Sequence, residues 1–207
     1  MLFTFYLAII VLGAKLRNAT KKLRTNVGKS IATVIQDPNA LTISSIIFAS
    51  LFVIAHAFDH ALAALIFMVL AYLIDTVDGA VARALGKASK WGNYLDAMVD
   101  KYVEAIIYIG LGMTAPFPAL LAALGSLIES YAKPRTAMVI PIDNHDWPAI
   151  GERVERCAII ALGYGIYALT HQSDTVLNAT LYAVAIMTWI GSVQRVFYAK
   201  RIIEQTQ

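Results

Sequence analysis

The residues best placed to do chemistry are four carboxylates: Asp75 and Asp78 lie three apart, and Asp96 and Asp100 four apart, a short distance further on. On a helix, such spacings put each pair on one face. Acidic groups gathered on two facing helices repel one another and are costly near hydrocarbon unless cations neutralise them. All-oxygen ligands favour one or two Mg²⁺ or Mn²⁺ ions over zinc or copper. Between the pairs stand Gly79, Ala82, Arg83 and Gly92. A glycine lets a ligand or a neighbouring helix approach the backbone, and an arginine offers a permanently charged fork for a phosphate oxygen. A nucleotide diphosphate fits this set, its charge shared between metal and arginine. The competing account is four solvated carboxylates at a helix end, which the accompanying glycines and arginine disfavour. For the glycines alone, helix packing explains as much as ligand contact.

The elements that must carry these side chains follow from composition. The 207 residues are 58% hydrophobic and 15% charged, too little charge to coat one water-soluble globule. Crossing about 30 Å of hydrocarbon takes roughly 20 apolar residues. Six stretches are candidate spans, from about Leu41 to Phe58, Ala61 to Ile74, Leu95 to Met113, Ala119 to Ala132, Val154 to Leu169 and Val176 to Tyr198. Pro116 and Pro118 turn the chain into the fourth, and a polar loop from Lys133 to Arg153 precedes the fifth. Residues 1–13 are apolar and uncharged, and positive charge follows them, the reverse of a signal peptide. Leu16, Leu23, Val27, Ile31 and Val34 recur at helical spacing among those charges, as in a helix lying in the membrane interface; a short extra span is the alternative. The expected fold is therefore an all-α integral membrane protein: six transmembrane helices in residues 38–207, preceded by an N-terminal amphipathic interfacial helix in the juxtamembrane segment 1–37. The single cysteine, Cys157, excludes an intrachain disulfide and a cysteine zinc cluster.

Charge placement then orients the spans. All 17 Lys and Arg residues fall on one side of this arrangement, which the positive-inside rule makes cytoplasmic. A multi-pass protein of the cell membrane is expected, with both termini and the aspartates facing the cytoplasm. Nucleic-acid binding is not suggested, because the basic residues flank apolar spans where anionic lipid headgroups lie. Ser130, Lys133 and Arg135 end the fourth span, Arg153 and Arg156 enter the fifth, and Arg195 sits late in the sixth. Cations converging on that side suit an anionic acceptor such as a sugar phosphate, and ordinary flanking charge is the competing account. Arg195 is the least ordinary, since it stands among apolar residues where an unpaired charge is expensive. Glu104 and Glu129, within spans, are candidate partners for these bases, and the loop Asp143-Asn144-His145-Asp146-Trp147 reads as a polar surface loop within reach of an acceptor.

The run Asp75-Thr76-Val77-Asp78-Gly79-Ala80-Val81-Ala82-Arg83, eight residues, then Gly92 with Asp96 and Asp100, resembles the signature of the CDP-alcohol phosphotransferases. The resemblance implies a six-span membrane fold and a metal-dependent reaction in which an alcohol displaces CMP from a CDP-linked donor, often CDP-diacylglycerol or its archaeal ether-lipid equivalent. It implies that Asp75, Asp78 and Asp96 ligate metal, and that Asp100 ligates metal and deprotonates the acceptor hydroxyl. By the same carry-over Gly79, Ala82, Arg83 and Ser89 line the CDP site. Pro38-Asn39-Ala40-Leu41-Thr42 is similar to the family's Pro-Asn-x-x-Thr stretch and would bring Asn39, Ala40, Leu41 and Thr42 to the nucleotide. The second basic cluster resembles that of the phosphatidylinositol-phosphate synthase branch and its archaeal counterparts. That likeness implies inositol phosphate as acceptor, held by Ser130, Lys133, Arg135, Arg153 and Arg195, although Val154 replaces the proline of that branch's Glu-Arg-Pro-Glu-Arg stretch. Implied partners are a CDP-activated lipid, the polar acceptor, membrane lipids and a second copy of the chain in a homodimer. Glycerol phosphate, serine or another alcohol as acceptor, and CDP-inositol as donor, stay open. A divalent-cation transporter is the non-enzymatic alternative, and the position of the aspartates at one end of the spans argues against it.

Overall fold

A computed structural model describes residues 25–142, 147 and 149–206. Among these the chain is entirely helical, with no strand. Helix α1 covers the described residues 25–32. It is followed by α2 (Pro38–Ala57), α3 (Ala61–Ala84), α4 (Lys90–Gly112), α5 (Pro116–Ala137), α6 (Arg153–Leu169) and α7 (Asp174–Glu204). Helices α2, α3 and α7 are long and apolar enough to cross a membrane. Many large apolar side chains lie on the outside, among them Ile47 and Ile54 on α2, Ile66 and Leu73 on α3, and Ile190 and Phe197 on α7, while Ala49, Ala64, Ala71 and Ala122 are buried. Large residues outward and small ones inward is the pattern of helices packed in lipid, where close backbone approach replaces the hydrophobic drive. The amphipathic helix expected before residue 38 falls mostly outside the described residues, as does the loop 143–146.

Local sequence explains where the helices begin and end around the candidate site. Asp37 Oδ1 accepts from the backbone N–H groups of Asn39 (2.9 Å) and Ala40 (3.4 Å), capping α2, whose first residue Pro38 needs no N–H partner there. Gly86 takes φ +66° after α3, and the Lys87 N–H turns back to the Ala82 carbonyl at 2.9 Å, closing the helix with a left-handed cap. Ser89 Oγ then accepts from the Gly92 N–H at 2.9 Å and starts α4. Helix α5 runs on to Ala137 with Pro134 inside it, further than the loop expected from Lys133 onward. Pro134 removes one N–H donor from the ladder, and the helix nevertheless continues for three more residues.

The chain divides into two compact units: the described residues up to Ala49 with Leu70–Val103, and Ser50–Val69 with Glu104 onward. In the first, α1 crosses α3 so closely that a Cβ on Gly28 would stand 2.7 Å from Ala80 Cβ. Lys87 Nζ donates to the Gln36 carbonyl at 2.6 Å, tying the α3–α4 turn to the segment before α2. In the second, His56 lies buried with Nδ1 2.8 Å from the Tyr164 hydroxyl and Nε2 3.0 Å from Thr114 Oγ1. Gly110 admits the ring of Phe52, and Gly125 and Gly163 seat Thr188 and Thr180, so α4, α5 and α6 each present a small residue to a neighbour.

Candidate functional site

Helices α3 and α4 bring three of the four aspartates together. Asp75, Asp96 and Asp100 each offer a carboxylate oxygen, and these oxygens all lie within 4.8 Å of one another. Asp75 is buried and the other two half-buried. Oxygen ligands on one divalent cation sit about 2.0–2.6 Å from it, so mutual separations up to roughly 5 Å are those a shared ion requires. The donor set therefore fits a hard divalent cation.

Asp78 stands apart from that trio and is anchored differently. It is 3% exposed, and Oδ2 accepts from Thr42 Oγ1 at 2.6 Å; its other oxygen accepts from the Gly79 N–H. Thr42 Oγ1 also lies 3.0 Å from the Pro38 carbonyl of its own helix. The threonine thus links the first turn of α2 to the carboxylate on α3. Thr42→Val keeps the shape and removes the donor, and unfolding in detergent is expected to show a loss of about 1–3 kcal/mol, with Thr42→Ser restoring it.

Beside Asp78 and Asp96 an open cleft of about 150 Å³ is lined by Pro38, Asn39 and Thr42 from α2, by Gly79, Ala82 and Arg83 from α3, by Lys87, Ala88 and Ser89 from the turn, and by Gly92 and Asn93 from α4. Two helices, α2 and α4, start at this cleft, and helix N-termini present N–H groups and positive dipole ends to an anion. Glycine matters at two positions here. A Cβ on Gly79 would meet Arg83 Nη1 at 3.4 Å, so the bare backbone lets the guanidinium fold back across its own helix. A Cβ on Gly92 would come within 3.2 Å of Ser89 Oγ and 3.5 Å of Asn39 Oδ1, the side chains that close over it.

Of the nucleotide contacts expected from sequence, Asn39, Thr42, Gly79, Ala82, Arg83 and Ser89 line the cleft; Ala40 and Leu41 do not. Leu41 is buried and Ala40 exposed. Lys87 and Asn93 line it without having been singled out in the sequence; the signal for Lys87 was its place on the short turn between Arg83 and Ser89.

The second unit places the basic residues of the candidate acceptor site. Ser130, Lys133 and Arg153 are half-buried and Arg135 is exposed. Arg195 is drawn onto α5, with Nη1 donating to the Glu129 carbonyl at 3.0 Å and Nη2 3.2 Å from Glu129 Oε1. Arg156, one of the converging cations in the sequence, is 2% exposed and lies between Glu104 (2.8 Å) and Glu129 (2.7 Å). Both glutamates do pair with bases.

Comparison with known proteins shows the family and the fold. Residues 35–194 match the CDP-alcohol phosphatidyltransferase family. An archaetidylinositol phosphate synthase of Pyrococcus horikoshii is 31% identical over 199 residues, covering 92% of this chain and 98% of the relative. A second, from Aeropyrum pernix, is 29% identical over 181 residues, covering 86% and 90%. In fold, the chain is similar to the crystal structure of Mycobacterium tuberculosis phosphatidylinositol phosphate synthase with CDP-DAG bound, at a TM-score of 0.72 and 22% identity over 86% of this chain and 94% of that one. A family match over most of the length, on a chain whose aspartates are spaced and folded together as described, makes this all-helical membrane protein a member of the CDP-alcohol phosphatidyltransferase family and a CDP-alcohol phosphotransferase.

Proposed function

We propose that the enzyme transfers the phosphatidyl-type group of a CDP-activated lipid to a hydroxyl of inositol 1-phosphate and releases CMP. The observation that carries this reading is the convergence of Asp75, Asp96 and Asp100 within 4.8 Å, beside a cleft started by two helix N-termini. It is supported by the relatives named archaetidylinositol phosphate synthase, and by a structure of the mycobacterial enzyme in complex with manganese and citrate.

On this reading Asp75, Asp96 and Asp100 hold Mg²⁺ or Mn²⁺, and Asp78, fixed by Thr42, completes the set for a second ion. A bound divalent cation supplies Lewis-acid polarisation of the phosphoryl oxygens and offsets charge on the departing CMP. Arg83, folded over Gly79, holds a pyrophosphate oxygen, with Lys87 and the start of α4 beside it. Asn39 and Ser89, which meet over Gly92, border the nucleotide. Asp100 accepts the proton of the attacking hydroxyl, so the new phosphoester bond forms as the bond to CMP breaks. Ser130, Lys133, Arg135, Arg153 and Arg195 hold the phosphate of the acceptor. On this reading all six helices α2 to α7 span the membrane in a homodimer, and the one-sided placement of Lys and Arg supports a cytoplasmic side for both termini and the site.

The test is an acceptor screen with purified protein, a CDP-activated lipid and Mn²⁺ or Mg²⁺, read as CMP release. Inositol 1-phosphate is expected to exceed free inositol and serine by about a hundredfold or more, since a site built of cations is left without its phosphate partner by either of these acceptors. CDP-inositol with an unactivated lipid alcohol forms the control arm. Equal rates with inositol and inositol 1-phosphate, or turnover of CDP-inositol alone, would reject this assignment.

A further inference from the structure

Four charged side chains from four different helices meet in the second unit, three of them buried and one half-buried: Glu104 on α4, Glu129 on α5, Arg156 on α6 and the half-buried Arg195 on α7. Two carboxylates face two guanidinium groups, so the set is neutral. Apolar residues of the same volume would serve stability as well or better, so a buried ion network points to a geometric task.

Its members differ in one respect. Arg156 and Glu129 are sealed, at 2% and 1% side-chain exposure, whereas Arg195, at 14%, reaches the outside. Glu129 grips Arg195 twice, through its side chain at 3.2 Å and its own carbonyl at 3.0 Å. The Nε–H of Arg195 is buried and makes no hydrogen bond among the described residues. Glu129 thus fixes a guanidinium whose side chain is still partly open to the outside, where it can meet an anion. The other oxygen of Glu129 holds Arg156, whose Nη1 also donates to the Gly151 carbonyl at 2.6 Å. Gly151, at φ +88°, turns the chain into α6, and Arg153 lies two residues further on. The same turn is pinned from α7, where Gln194 Oε1 accepts from the Ile150 N–H at 2.9 Å and Gly191 leaves room for the Ile150 carbonyl.

We propose that Glu129 is a positioning residue of the acceptor site: it orients Arg195 directly and, through Arg156 and Gly151, sets the start of α6 that carries Arg153. This rests on the reading of a phosphorylated acceptor. Glu129 does not touch the substrates; it fixes the direction from which two cations meet the phosphate.

The experiment compares wild type with Glu129→Gln and Glu129→Asp, measuring KM for inositol 1-phosphate and for the CDP-lipid separately. Glu129→Gln is expected to raise the acceptor KM about tenfold or more, with the donor KM within about twofold and partial recovery in Glu129→Asp. Should Glu129→Gln fail to fold, the triple variant E104M/E129M/R156M replaces the buried charges by apolar side chains and restores stability without restoring the aim of Arg195. Its acceptor KM is expected to stay about tenfold raised. An acceptor KM at the wild-type value in either variant, or donor and acceptor KM rising together, overturns the role of Glu129. Failure of the underlying reading looks different: wild type itself would then turn over free inositol as fast as inositol 1-phosphate.

Discussion

Asp100→Asn is expected to release CMP at least about 10³-fold more slowly than the wild-type enzyme and still to fold, because the proposed mechanism makes Asp100 both the general base and a metal ligand. The amide has the shape of the carboxylate, so α4 keeps its packing at this half-buried position. What the amide lacks is the negative charge and basicity of one of the three carboxylates gathered within 4.8 Å, one helical turn from Asp96. Steady-state CMP release at saturating donor and acceptor measures the effect, and thermal unfolding in the same detergent shows that the fold is kept. Near-normal turnover by the purified variant would take the base away from Asp100 and require another group to accept the proton.

Removing divalent cations is expected to silence the wild-type enzyme entirely, with Mn²⁺ or Mg²⁺ restoring it. A second, less obvious result follows from the same geometry. Like charges at about this spacing repel by about 3 kcal/mol per pair at an effective dielectric of about 20. In chelator, therefore, Asp75→Asn should unfold at a higher temperature than wild type, because one of three crowded, partly buried carboxylates has been neutralised. Excess Mn²⁺ should reverse the order, since the full trio gains more from the ion than the variant does. If chelation leaves turnover intact, or if Mn²⁺ raises the unfolding temperature of both proteins equally, the cation is not held by these residues.

The acidic motif was legible in the sequence because helical periodicity converts spacing into a shared face, and Asp75, Asp96 and Asp100 meet as that rule requires. Asp78 shows its limit. Its partner Thr42 is 36 residues earlier, and nothing in local spacing foretells a bond between the first turn of one helix and the last turns of the next. Helix existence was readable from apolar length, whereas the end of α5 was not. Lys133 and Pro134 read as the start of a loop, yet the helix continues to Ala137. Glu104 and Glu129 were identifiable as acids in need of bases and Arg156 as one of several converging cations, but not that this one base joins both acids. A guanidinium at the edge of an apolar run has the same sequence signature whether it faces headgroups or the protein interior. Only packing tells them apart.

The neutrality of the charged quartet has a consequence for how the enzyme responds to ionic strength. Mobile ions screen charges that water reaches, and they leave sealed pairs such as Arg156 with Glu104 and Glu129 almost untouched. Arg135, exposed at the end of α5, is a cation that salt can blunt. Rising salt would then slow the arrival of an anionic substrate by weakening long-range attraction, while the orientation of Arg195, once the substrate is seated, stays the same in brine as in dilute buffer.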